Sequence, residues 1–159
     1  KDLEHAKQVS ISVHKKIYEK IRELGNDYVS VYNLTKSFFE KHREFLERLV
    51  EIEKKPVLLR FVPEKKYYWV INVEYNIIDE LKRPREIATF QIDIGNARRF
   101  GIKFVGKNRE KVYPPILHIA VLGGIERYIF TVFDTALKQE VPRLPLWLSP
   151  IQVRVIPVC

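Results

Sequence analysis

From Leu3 onward the apolar residues fall three or four positions apart, at Leu3, Ala6, Val9, Val13, Ile17, Ile21 and Leu24. That spacing predicts an amphipathic helix, stopped at Gly25. Residues 28–32 read as a short strand. Asn33 or Thr35 can cap a second helix over about residues 36–53, with Phe38, Phe39, Phe45, Leu46 and Leu49 on its apolar side. Pro56 punctuates the chain, and residues 57–62 read as a short buried strand. The period then changes to two. Tyr67, Trp69, Ile71, Val73 and Tyr75 alternate with Tyr68, Val70, Asn72, Glu74 and Asn76, which predicts a long strand. A turn near residues 79–84 leads to a partner strand over 85–94, closed by Gly95. Residues 101–105 and 110–113 flank a 106–109 turn and read as a hairpin. A further buried strand is expected over 115–121, broken by Gly123-Gly124, and a helix over 125–138. The three prolines in 139–150 mark a linker, and 151–158 is a last strand candidate with nothing to pair with. Helices followed by runs of strands predict an α+β domain with a mostly antiparallel sheet.

Composition narrows the picture. The 159 residues make about one domain, and at 46% hydrophobic and 30% charged the chain can hold a core, so disorder is excluded. The chain begins with Lys1 and contains no methionine, which reads as an internal piece of a longer protein or a processed form. The single cysteine, Cys159, leaves no partner for a disulfide or a CxxC metal site. No apolar run is long enough for a membrane span. The net charge of +8 is uneven: residues 1–55 carry 12 basic and 10 acidic groups, whereas 56–159 carry 16 and 10. A basic second part favours a polyanion such as RNA or a nucleotide phosphate, with general solubility as the plain alternative.

No Gly-rich phosphate loop and no Ser/His/Asp set is present. His5, His14 and His42 lie in charged helical stretches and are expected to face solvent. His118 lies inside the apolar run Ile116-Leu117-His118-Ile119-Ala120; it is expected to be a satisfied core histidine, with a ligand pointing into a site as the alternative. Gly123-Gly124 would let a backbone or a flat ligand approach closely. Arg127 falls in the first turn of the following helix, where the helix dipole disfavours a cation, so it is expected to serve another purpose, stacking on an aromatic face or pairing with phosphate.

Gly-Gly-Ile-Glu-Arg at 123–127 resembles motif 3 of class II aminoacyl-tRNA synthetases. With Tyr67-Tyr68-Trp69-Val70, Arg83-Pro84, Thr89-Phe90-Gln91-Ile92-Asp93, Arg99-Phe100-Gly101-Ile102 and His118 before it, the order is similar to that of the threonyl-tRNA synthetase family in its archaeal form. The likeness runs from about Tyr67 to Cys159 and is looser over 1–64, where the family has a helical insertion. It implies a class II synthetase-like fold with flanking helices: 1–142 as part of the catalytic domain (1–64 the insertion, 65–142 the sheet and motif 3 helix) and 143–159 as the linker and first strand of an anticodon-binding domain. It further implies a cytoplasmic ligase that activates threonine with ATP and passes it to tRNA(Thr), with magnesium and zinc as cofactors and a homodimer in the full protein. By the same resemblance Arg127, Glu86 and Thr89 bind ATP: Arg127 stacks on adenine, and Glu86 sits where an acid holds magnesium with the phosphates. Thr89 lies two residues before Gln91, so both point to the same face of the strand. Gln91 and Tyr68 line the threonine pocket, and His118 is one of three zinc ligands. Cys159 is not a ligand in that pattern. Gly124 stands where many members have Ser, and Asn72 and Glu74 replace a more usual Lys and Asp. Motifs 1 and 2 are absent, so this piece alone is expected to be inactive. The competing expectation is a non-catalytic or weakly active relative that serves as a tRNA-binding module.

Overall fold

The computed structural model describes residues 1–106 and 108–158. Helix α1 (Leu3–Glu23) begins at Asp2, whose carboxylate accepts the His5 amide at 2.8 Å, and Gly25 (φ 73°) turns the chain away after it. Strand β1 (Val29–Leu34) leads to α2 (Lys36–Lys41), capped by Thr35 on the Phe38 amide at 3.2 Å. The single helix expected over 36–53 is in fact two. The backbone of His42 leaves the helical region (φ −130°, ψ 32°), and α3 (Arg43–Glu53) starts afresh. The break brings Phe38 and Phe45 edge to face at 6.5 Å, both buried.

Five strands make the main sheet, in the order β2 (Leu58–Phe61), β1, β3 (Trp69–Ile78), β4 (Pro84–Asp93) and β7 (Ile116–Ala120). Only β1 and β2 run parallel. The mostly antiparallel sheet of an α+β domain is therefore found. Residues 1–64 are not helical throughout, since they give the sheet its β1 and β2 strands. A short helix α4 (Asn96–Arg99) and a two-stranded hairpin, β5 (Phe104–Val105) with β6 (Lys111–Val112), connect β4 to β7. The expected 106–109 turn includes Lys107, which lies outside the described residues, as does Cys159. Helix α5 (Ile125–Leu137) follows β7.

One face of the sheet is dry. Tyr32, Leu34, Ile71, Val73, Tyr75, Phe90 and Ile92 meet Ile17 and Ile21 of α1 and Leu46 and Leu49 of α3 in a continuous core. The expectation that His14 faces solvent fails here: it is fully buried. Its Nε2 donates to the Leu49 carbonyl at 2.9 Å, and its Nδ1 accepts from the Tyr75 hydroxyl. Glu53 lies 3.4 Å from the same Nε2 and is itself buried, accepting from the hydroxyls of Tyr32 (2.6 Å) and Ser30. A polar residue tolerates such burial because α3, β1 and β3 supply its partners.

Two strands expected to be buried are the edges. In β2, Leu58 and Phe61 are exposed, and β7 is at most half-buried. Residues 151–158 form no strand; within the linker, Leu146–Leu148 forms a 3-10 turn. No helix is long and apolar enough to cross a membrane among the described residues.

Candidate functional site

The other face of the sheet is polar, and strand alternation builds it. Residues directly paired across strands project to the same side. The pairs Asn72 with Gln91, Glu74 with Thr89, Gln91 with His118 and Thr89 with Ala120 therefore lay one row of polar groups across β3, β4 and β7. Phe90 and Ile92 between them point into the core. Glu86 is three residues before Thr89, which regular alternation would place on the opposite side. A register shift between Tyr75 and Asn76 leaves Ile87 unpaired on β4, and this bulge restores Glu86 to the polar side, facing Glu74 and Arg127.

At one end of the row, His118 is exposed, which corrects the expectation of a core histidine. It sits on an edge strand with one side open. Its Nε2 is 2.8 Å from Oδ2 of the fully buried Asp93. The other oxygen of Asp93 accepts the amides of Gly95 (2.8 Å) and Asn96 (2.9 Å). Burial opposes ionisation of Asp93, but the Asn96 and Gly95 amides and the His118 ring outweigh it and hold its pKa below the ordinary carboxylate value. The ionised carboxylate accepts the hydrogen bond from Nε2–H, so in the neutral ring Nδ1 of His118 carries the lone pair. Tyr68 completes this end, its ring edge-on to His118 at 5.6 Å and its hydroxyl donating to Gln91 Oε1 at 2.9 Å.

At the other end an open cleft of about 860 Å³ is lined by Glu86, Ala120, Gly123, Gly124, Arg127 and Phe130. Arg127, in the first turn of α5, donates from Nη1 to the Glu86 carbonyl at 2.9 Å. Gly123 (φ 68°) is required where it stands: a Cβ there would lie 3.1 Å from Arg127 Cδ and 3.2 Å from the Ile87 carbonyl oxygen. Desolvation and the neighbouring Glu74 raise the Glu86 pKa, against the opposing pull of Arg127. Thr89 donates its hydroxyl proton to β3, 2.8 Å from the Val73 carbonyl and 3.0 Å from Asn72 Oδ1. It can offer a ligand only its lone pairs.

All six residues singled out from the sequence thus share one face. Tyr68, Gln91 and His118 meet at one end; Glu86, Thr89 and Arg127 gather toward the other. Asp93 is a further polar residue at this site that the sequence reading did not single out, although Thr89, Gln91 and Asp93 recur at period two in the otherwise apolar stretch from Ile87 to Asp93. For a zinc ion the chain supplies one fitting donor, Nδ1 of His118, with Asp93 behind it. Among the described residues no three His, Cys, Asp or Glu side chains cluster as a metal site.

The fold is shared with a solved structure. A solved structure described as the RNA binding domain of threonyl-tRNA synthetase from Cryptosporidium parvum Iowa II superposes with a TM-score of 0.71 over 94% of this chain and 38% of that one, at 19% identity. No family model matches the chain. The sequence is similar throughout to threonine–tRNA ligases. It is 68% identical over 161 residues to that of Thermofilum pendens and 57% identical over 162 residues to that of Pyrobaculum aerophilum. Each alignment takes in 99% of this chain but only 26% and 27% of those ligases, so the chain spans about a quarter of the relatives it matches.

Proposed function

We propose that the chain is the part of a threonine–tRNA ligase that binds ATP and threonine on the polar face of its sheet. The observation that carries this reading is the row itself: Tyr68, Gln91 and His118 at one end, Glu86 and Arg127 at the other, on one side of β4 and β7. In the reaction, a carboxylate oxygen of threonine attacks the α-phosphorus of ATP, and the bond to the β-phosphate oxygen breaks to release pyrophosphate. The 3′-terminal ribose of tRNA(Thr) then displaces AMP. Arg127, reaching across the cleft beside Gly123-Gly124, is placed to cover adenine with its guanidinium. Glu86 is placed to share a magnesium ion with the phosphates. Tyr68 and Gln91 border the space next to His118 where the amino acid would lie. A zinc ion held by His118 and by donors outside this chain would act as a Lewis acid toward the amino and hydroxyl groups of threonine. A site that ligates the hydroxyl discriminates against valine far better than an apolar pocket could. Residues 143–159 then lead into an anticodon-binding domain, and the whole protein acts as a cytoplasmic homodimer.

The test is threonine-dependent ATP–pyrophosphate exchange by the ligase that carries this chain. Exchange that Arg127→Ala abolishes supports the reading. The second reading, a tRNA-binding module without catalysis, draws on the likeness to an RNA binding domain; it predicts tRNA binding with no exchange.

A further inference from the structure

Many basic residues of this chain are answered by a nearby acid, but one basic stretch is left open. On the helices, acids at helical spacing answer the cations: Glu4 with Lys7, Lys20 with Glu23, Lys36 with Glu40, Arg43 with Glu47, and Arg48 with Glu51. Between Arg98 and Lys111 the sequence has six basic residues and one acid. Among the described residues, Arg98, Arg99, Lys103, Arg109 and Lys111 form no ion pair and are exposed. Aromatic rings hold three of them instead. The guanidinium of Arg98 and the ammonium of Lys103 lie 5.2 and 4.9 Å from the Tyr113 ring centre, and Arg99 lies 5.6 Å from the largely exposed ring of Phe100.

Unpaired cations interleaved with aromatic faces suit a phosphate backbone with unstacked bases. Position strengthens the case. Helix α4 starts at Asn96, whose amide is held by the same Asp93 carboxylate that holds His118. Backbone bonds from Arg99 to Gly95 (3.2 Å) and from Ile102 to Ala97 (2.8 Å) tie the basic segment to that corner. The patch therefore adjoins the His118 end of the polar face.

We infer that α4 and the β5–β6 hairpin form an RNA-binding surface that takes the single-stranded end of a tRNA: Arg98, Lys103, Arg109 and Lys111 meet its phosphates, and Phe100 stacks on a base. This rests on the proposed ligase reading and adds where on the chain the RNA lies.

The experiment measures affinity of the full ligase for a tRNA(Thr) transcript across a salt series. The first variant combines Arg98→Gln, Lys103→Gln, Arg109→Gln and Lys111→Gln. A control with the same change in charge combines Lys20→Gln, Lys36→Gln, Arg43→Gln and Arg48→Gln on the ion-paired helices. The first variant is expected to bind about tenfold or more weakly at physiological salt, with the slope of log affinity against log salt reduced by about three. The control is expected to change less than about twofold. Phe100→Ala, a single exposed position, is expected to weaken binding about fivefold with the slope unchanged, and gives an independent reading should the fourfold variant fail to fold. Equal losses in both charge variants, or unchanged affinity in the first, overturn the proposal while leaving the ligase reading intact. If the unmodified protein binds no tRNA, both fall.

Discussion

Asp93 joins two groups from separate parts of the chain: one carboxylate oxygen holds the Asn96 amide at 2.9 Å and the other holds Nε2 of His118, 25 residues beyond Asp93, at 2.8 Å. A buried carboxylate behind an exposed imidazole fixes both the orientation and the tautomer of the ring. Asp93→Asn keeps an oxygen for the amides but turns an NH₂ group toward Nε2. The ring must then carry its proton on Nδ1, the atom that the proposed zinc ion would take. On that proposal, the variant ligase should lose zinc affinity by about 10- to 100-fold, read by competition with a chelator. Unchanged affinity would remove Asp93 from the site.

Arg127 and Gly123 form a second such pair. Gly123→Ala places a methyl against the Ile87 carbonyl and the stem of Arg127 in a left-handed conformation. It should destabilise the protein by about 1–2 kcal/mol in denaturant unfolding. It should also raise the KM for ATP in the exchange reaction, because the guanidinium is displaced from the cleft. Arg127→Lys should fail to restore activity lost in Arg127→Ala, since a point charge lacks the planar face.

The periodicities carried much of the fold. Both long strands and the first and last helices lie where the spacing places them, and the polar face of β4 follows from Thr89 and Gln91 alone. Three features needed the tertiary structure. His14 reads as polar in a charged helix, yet it falls in line with Ala6, Ser10, Ile17 and Ile21 on the buried side. Its partners, Tyr75 and Leu49, come from elements far along the chain. The bulge at Ile87, which brings Glu86 to the site, leaves no local mark because Ile87 and Ala88 are both ordinary strand residues. The exposure of His118 depends on β7 being an edge, and strand order is not written in any one strand.

Burial depresses the His14 pKa, against the attraction of Glu53 and the Leu49 carbonyl. A base whose folded pKa lies below its unfolded value of about 6.5 costs stability as pH falls through that value, because only the unfolded chain takes the proton. Thermal unfolding should therefore show stability declining from about pH 7 to pH 5. His14→Leu should flatten that decline. The same variant leaves the Tyr75 hydroxyl without its acceptor, at a cost of about 1–3 kcal/mol at neutral pH.

Asp79 should act in the opposite range. Its carboxylate closes the β3–β4 turn, taking the Arg83 amide at 2.8 Å and the Nε groups of Arg83 (3.1 Å) and Arg85 (2.9 Å). Burial resists its ionisation, but these donors prevail and lower its pKa to about 2. The folded value is below the unfolded one, so the contribution is complete above about pH 4 and disappears as pH falls toward 2. Acid unfolding of Asp79→Asn should start from a lower stability and show a shallower loss across that window.

Along β4 the residues of the apolar core and those of the polar face take turns, Phe90 and Ile92 on the first, Thr89, Gln91 and Asp93 on the second. Deleting one residue between Ala88 and Asp93 would do more than shorten the strand. It would turn the sheet inside out at this point, setting a carboxylate among aliphatic side chains and a phenyl ring on the polar face. Length in this segment is thus constrained more tightly than identity: many substitutions can be absorbed on one side alone, whereas a change in spacing damages both sides at once.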